Sequence, residues 1–180
     1  MSWVQMVARG EEPDGYLDGA PLCPRCLCLT DSGWISPTYR VRNRHHSVTA
    51  ESGLKLVSQR FVDAVEGEGI VPLGCRFVPL PADPEYYGLI VERVLTVDRS
   101  SVEHEGMVCP VCRRQPTFGR PKVISEAGAE PLRGFARSDL EYGGTASRPT
   151  GQAWRTFLDL ELAKKLRSLK LCQFRPLDLV

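Results

Sequence analysis

A chain of 180 residues with 42% hydrophobic and 25% charged side chains can bury a core, so residues 1–180 are expected to form a single globular domain of soluble type, or two small lobes. Its 23 basic and 22 acidic residues leave a formal charge of +1, which excludes a global pull toward nucleic acid or an anionic membrane; any charged partner must be recognised locally. Met1 to Arg9 has no charged segment leading into a long apolar one, and the longest apolar stretch, Gly88 to Val97, contains Glu92 and Arg93, so a cytoplasmic location is expected, with neither signal peptide nor membrane span.

The first fifty residues lack periodicity and are rich in Gly, Pro and Asp. They read as loops and short strands around the segment Leu22-Cys-Pro-Arg-Cys-Leu-Cys28. Leu54, Leu56 and Val57 predict a short strand, after which Ser58 can cap a helix whose apolar face is Phe61, Val62 and Val65 and which ends at Gly67 and Gly69. Arg76 to Leu80 reads as a strand and Pro81 to Pro84 as a turn. Tyr86 to Val97, dense in aromatic and β-branched residues, is the strongest predicted strand. Cys109-Pro-Val-Cys112 follows a polar stretch and leads into a loop to Pro121, with a short strand at Lys122 to Ile124. Gly134 to Gly151, which holds Gly143, Gly144 and Pro149, is the predicted flexible segment. Phe157 to Leu171 places Leu158, Leu162, Leu166 and Leu169 on one side of a helix, with Asp159 and Glu161 early and Lys170 late, as the helix dipole favours. Gln173 to Pro176 closes the chain as a strand. The fold class expected from these elements is α+β, a mixed sheet with two or more helices.

Cys75-Arg-Phe-Val-Pro-Leu80 and Cys172-Gln-Phe-Arg-Pro-Leu177 share a pattern, each follows a predicted helix, and a Cys-x-x-Cys pair precedes each helix. Two related halves, 20–84 and 105–180, are therefore expected. Each would be a strand-helix-strand unit, the two sharing one sheet and tied together by a metal.

Seven cysteines without an export signal are read as reduced thiols, and paired Cys-x-x-Cys knuckles as metal ligands before disulfides. Cys23, Cys26, Cys109 and Cys112 would complete a tetrahedral shell around one structural zinc ion. Pro24 and Pro110 occupy the same place in each knuckle. Four thiolates leave no open coordination position, so catalysis at the metal is not expected. Cys28, His45, His46 and His104 are possible replacement ligands, whereas Cys75 and Cys172, beside apolar strand residues, read as core side chains.

Tyr39-Arg-Val-Arg-Asn-Arg-His-His46 is the one strongly basic run, and Trp34 and Tyr39 could stack on bases while its arginines meet phosphates. A zinc-dependent nucleic-acid-binding protein is thus the alternative function, with a solvated strand edge or loop the preferred reading of the run. There is no nucleophile elbow, phosphate-binding glycine loop, His-Glu-x-x-His helix or deaminase pattern, so no enzyme is expected.

The paired knuckles, Leu56-Val57-Ser58-x-Arg60-Phe61 leading into a helix, Phe77-x-Pro79-Leu80 after it, the Tyr86-Tyr87 strand start and the Leu-rich final helix with Phe174-x-Pro176 together resemble the double-CXXCG motif proteins of myxobacteria. That family is associated with immunity against polymorphic toxins, including toxins passed between kin by outer-membrane exchange. The chain departs from the family pattern at Leu27 and Arg113, which stand where a glycine follows each second cysteine. The resemblance implies a cytoplasmic immunity protein, an antitoxin that neutralises a cognate toxin by protein-protein interaction, with no membrane partner. Trp34, Trp154, Glu126, Glu130, Asp139 and Glu141 are candidate exposed contacts, and the residues of the toxin-binding surface stay unassigned.

Overall fold

In the computed structural model, which describes residues 3–12, 15–67, 74–115, 117–119, 133–142 and 153–176, the fold is α+β, with two helices and two mixed sheets. Among the described residues no helix is long and apolar enough to cross a membrane.

The strand β4 (Lys55–Ser58) runs directly into α1 (Gln59–Glu66). Ser58 makes the switch possible: it keeps an extended backbone and its hydroxyl accepts from the Phe61 N–H, satisfying a donor that the first turn leaves orphaned. The apolar face is Phe61, Val62 and Val65, all buried, as the spacing predicts. The strand β11 (Ala153–Asp159) enters α2 (Leu160–Ser168) in the same way, with the Asp159 carboxylate accepting from the N–H groups of Glu161 and Leu162. The predicted helix over 157–171 is therefore shorter. Leu158 extends its four-residue spacing by coincidence, but it and Phe157 are buried strand residues paired with both neighbours, and Asp159 is the cap instead of an early dipole charge.

Three other expectations are corrected. The long strand over 86–97 divides into β6 (Asp83–Val91) and β7 (Val94–Leu95), because the N–H groups of Glu92 and Arg93 both turn to the Gly74 carbonyl. Part of the segment expected to be flexible is instead β10 (Phe135–Tyr142), which pairs with β11; 143–152 lies outside the described residues, as does the strand expected at Lys122 to Ile124. β9 (Thr117–Gly119) also interrupts the loop expected up to Pro121.

The remaining strands are β1 (Trp3–Val7), β2 (Gly10–Glu11), β3 (Ser47–Thr49), β5 (Cys75–Leu80), β8 (Val102–Glu105) and β12 (Gln173–Pro176). One sheet runs β2-β3-β4-β6-β5. The other runs β12-β1-β11-β10-β9-β8, with β7 also on β10. The strand-helix-strand units β4-α1-β5 and β11-α2-β12 thus lie in separate sheets, not in a shared one.

The two sheets correspond in register. In one, β6 separates the strands flanking α1, pairing Tyr87 with Val57 and with Pro79, and Leu89 with Phe77. In the other, β1 separates the strands flanking α2, pairing Val4 with Leu158 and with Pro176, and Met6 with Phe174. Ser47 lies opposite Val57 as Phe135 lies opposite Leu158, and β2 is parallel to β3 as β7 is to β10. The central strand of each unit therefore comes from the other part of the sequence: the early β1 completes the late unit, and β6, from beyond β5, completes the early one. Neither β1 nor the greater part of β6 falls within the segments 20–84 and 105–180.

The main core cluster lies where the helices and both sheets meet. Val57, Phe61, Val62, Val65, Cys75 and Leu89 come from one unit with its inserted strand, and Leu158, Leu162, Ala163, Leu166, Cys172 and Met6 from the other. Cys75 and Cys172 are the buried core thiols that their apolar neighbours lead one to expect, burial pushing both to about 12.

Candidate metal centre

Each knuckle is a tight turn at the tip of a hairpin. Around the first, Leu22 bridges to Leu29, the Cys23 N–H donates to the Cys28 carbonyl at 2.8 Å, and the Leu27 N–H donates to the Cys23 carbonyl at 2.9 Å. Around the second, β8 pairs with β9, the Cys109 N–H donates to the Arg114 carbonyl at 2.8 Å, and the Arg113 N–H donates to the Cys109 carbonyl at 2.9 Å. The same turn has been built twice.

Closing these turns needs a left-handed residue after the second cysteine. Leu27 has φ 58° and Arg113 φ 62°, a region that costs an L side chain and that glycine enters freely. Leu27 and Arg113 thus take a backbone conformation that glycine would adopt at less cost.

The Sγ atoms of Cys23, Cys26, Cys109 and Cys112 all lie within 4.8 Å of one another. Equivalent members face each other: Cys23 and Cys109 are 3.8 Å apart, Cys26 and Cys112 3.4 Å. A tetrahedral ion with Zn–S bonds of about 2.3 Å separates its sulfurs by about 3.8 Å, so the cluster has the dimensions of a four-thiolate shell. These four cysteines can hold a metal ion.

The backbone prepares the sulfurs for negative charge. The N–H groups of Cys26 and Arg25 point at Cys23, and those of Cys112 and Val111 at Cys109, holding both thiols below their ordinary pKa. Cys26 and Cys112 are raised by burial, opposed by the N–H groups of Cys28 and Arg114. An ion would reverse that rise by supplying the charge burial withholds.

The replacement ligands stay out of the four-thiol group. Cys28 is buried beside it, its thiol raised by burial and hydrogen-bonded to Cys26. The His46 ring sits on the Ser58 hydroxyl at 2.9 Å, and His45 is exposed. The His104 side chain lies outside the described residues.

The aromatic and acidic candidates are placed otherwise than expected. Tyr39 is buried, its hydroxyl donating to Glu12 at 2.6 Å, and Arg44 is paired with Asp83 at 3.2 Å. The ring proposed to stack on bases is thus inside the protein. Trp34 packs edge-on to Tyr16, and Trp154 is half-buried under the Arg137 guanidinium. Asp139 pairs with Arg99 and accepts from the Val97 N–H, while Glu141 pairs with Arg114 at 3.2 Å. None of these four is an exposed anchor; Glu126 and Glu130 lie outside the described residues.

Sequence reasoning missed Glu12, whose buried carboxylate accepts from Tyr39 and from the N–H groups of Arg42 and Asn43 and so shapes the basic loop. It also missed the role of Lys55 and Arg137, which face a cleft between the sheets. A lysine opening a strand is usually solvated, and nothing local marks this one as enclosed.

No known family matches the chain, and no curated protein matches its sequence.

Proposed function

We propose that Cys23, Cys26, Cys109 and Cys112 hold one structural zinc ion, and that the scaffold so stapled is a non-catalytic, cytoplasmic immunity protein that binds and neutralises a cognate bacterial toxin. The observation that carries this reading is the convergence of the four thiols from two equivalent turns. An all-sulfur tetrahedral shell favours zinc over harder cations, and its four protein ligands leave no position for water or substrate. The metal's work is then to fix geometry. Reduced thiols are kept in a reducing compartment. The toxin as partner rests on the resemblance of the paired knuckles and helix-flanking motifs to the immunity family.

The knuckles also carry much of the exposed apolar surface among the described residues. Met107 is 92% exposed, Val111 58%, Leu27 51% and Val108 48%. Side chains of this kind on a rigid, metal-fixed turn suit a surface that a protein partner covers. We assign the toxin-facing surface to them.

The test is co-expression with the product of the adjacent gene, followed by pull-down of that product. The expected result is stoichiometric rescue from its toxicity, lost in Met107→Asp and Val111→Asp variants that keep their metal. A neighbour that is not toxic, or that is not captured, removes the immunity reading. Rescue that survives both substitutions removes the surface assignment alone.

A further inference from the structure

Lys55 and Arg137 belong to cross-strand pairs that occupy corresponding places in the two sheets. Lys55 lies opposite Thr49 across β4 and β3, and Arg137 lies opposite Thr156 across β10 and β11. Each pair joins a cation to a threonine, with the cation on the opposite strand in the second sheet. Lys55, Arg137 and Thr156 line the same cleft, a cavity of about 420 Å³ whose wall also includes Leu54, Leu89 and Trp154.

Neither cation has an ion-pair partner among the described residues. Lys55 Nζ donates to Thr49 Oγ1 at 2.9 Å. Arg137 donates to the Ser138 carbonyl at 3.2 Å, and its Cζ lies 3.8 Å from the Trp154 ring centre. The acids of the wall are engaged elsewhere: Glu141 with Arg114, Glu92 with Arg76, and Asp31 with the Gly33 N–H. Partly enclosing two cations without an ion pair is costly: burial lowers the pKa of both, and Glu11 at Lys55 and Glu141 and Asp139 at Arg137 offset this only in part. An anion entering the cleft relieves that cost at both sheets together.

We propose that this cleft binds a small organic anion, its carboxylate or phosphate head between Lys55 and Arg137 and its apolar body against Leu54 and Leu89. The charged head is recognised by one cation from each sheet, so the ligand bridges the two. The Trp154 ring lies against the Arg137 guanidinium, and the N–H donors beyond the one given to the Ser138 carbonyl serve the ligand. None of the four clustered thiols lines this cavity, although Leu29 and Arg114, from the two knuckle hairpins, are part of its wall, and the site does not depend on the identity of a protein partner.

Titration calorimetry on the full chain tests the proposal, with benzoate, phenyl phosphate and neutral benzamide as probes. The expected result is binding of at least one anion with a Kd below about 1 mM, and none of benzamide. Benzoate alone assigns a carboxylate head; phenyl phosphate alone assigns a phosphate head. Lys55→Met and Arg137→Met should each weaken the anion about tenfold or more, as loss of a charge-assisted contact requires. Lys55→Gln or Arg137→Gln replaces any methionine variant that does not unfold cooperatively. Failure of both anions to bind the unaltered protein at about 10 mM, or equal binding by the unaltered protein and both variants, overturns the proposal.

Discussion

Leu27 and Arg113 bear the conformational cost of the knuckles. Both side chains are exposed and both backbones are left-handed, so replacing either by glycine removes strain while giving up little packing. Leu27→Gly and Arg113→Gly should each stabilise the protein by about 0.5 to 1 kcal/mol, read as a higher urea midpoint at unchanged slope, whereas Leu27→Ala should gain nothing. The clustered thiols were legible from sequence because a Cys-x-x-Cys spacing almost dictates the turn that converges them. The left-handed residue after them was not, since neither Leu nor Arg advertises that conformation.

Lys55 gives a second prediction at this scale. Burial, helped by the neighbouring Arg155 charge and opposed by Glu11, lowers its pKa from 10.5 to about 8. Between these values the unfolded chain keeps a proton that the folded one has lost, so stability rises with pH across about 8 to 10.5 by on the order of 3 kcal/mol. Below pH 8 both states are protonated and the full cost of the buried ammonium is present. Lys55→Met should therefore be the more stable protein at pH 7, with the difference shrinking toward pH 10.5, as equilibrium unfolding at several pH values would show. A constant difference contradicts the assignment.

Among the elements, α1 was legible almost to the residue because cap and apolar face agree: Ser58 begins it and Phe61, Val62 and Val65 bury it. The start of α2 was misread because Leu158 satisfies a helical spacing while its backbone belongs to β11. Periodicity alone does not separate these states for a buried residue. The insertion of β1 and β6 into the distant units was also hidden, since a strand's sequence does not name its partners. That insertion makes Met6 and Leu89 equivalent core residues, paired with Phe174 and Phe77. Met6→Ala and Leu89→Ala should each cost about 2 to 5 kcal/mol in denaturant unfolding. If β1 were a frayed terminal strand instead, Met6→Ala would cost well under 1 kcal/mol.

Over the whole molecule, strand insertion and the thiol cluster act on the same problem. Residues 83 positions apart (109 minus 26) are brought to within 4.8 Å, and holding them there opposes the loop entropy of everything between. The inserted strands lock the units at the core; the proposed ion locks them at the knuckle tips, with Cys23 against Cys109 and Cys26 against Cys112. The sequence pattern exposed the strand-helix-strand order around α1 and the clustered thiols, but not the strand β11 before α2 or the separation into two sheets, which follows from pairings that no local signal encodes. The cleft between those sheets was equally invisible, because it exists only once Lys55 and Arg137 are brought to face one cavity.

Elemental analysis of protein purified without added zinc, paired with its Cys109→Ser variant, tests the metal-stapled scaffold most directly. About one zinc ion per chain is expected, with the variant losing the ion and melting well below the unaltered protein. A metal-free preparation that melts cooperatively, or a Cys109→Ser protein with unchanged melting, contradicts the account.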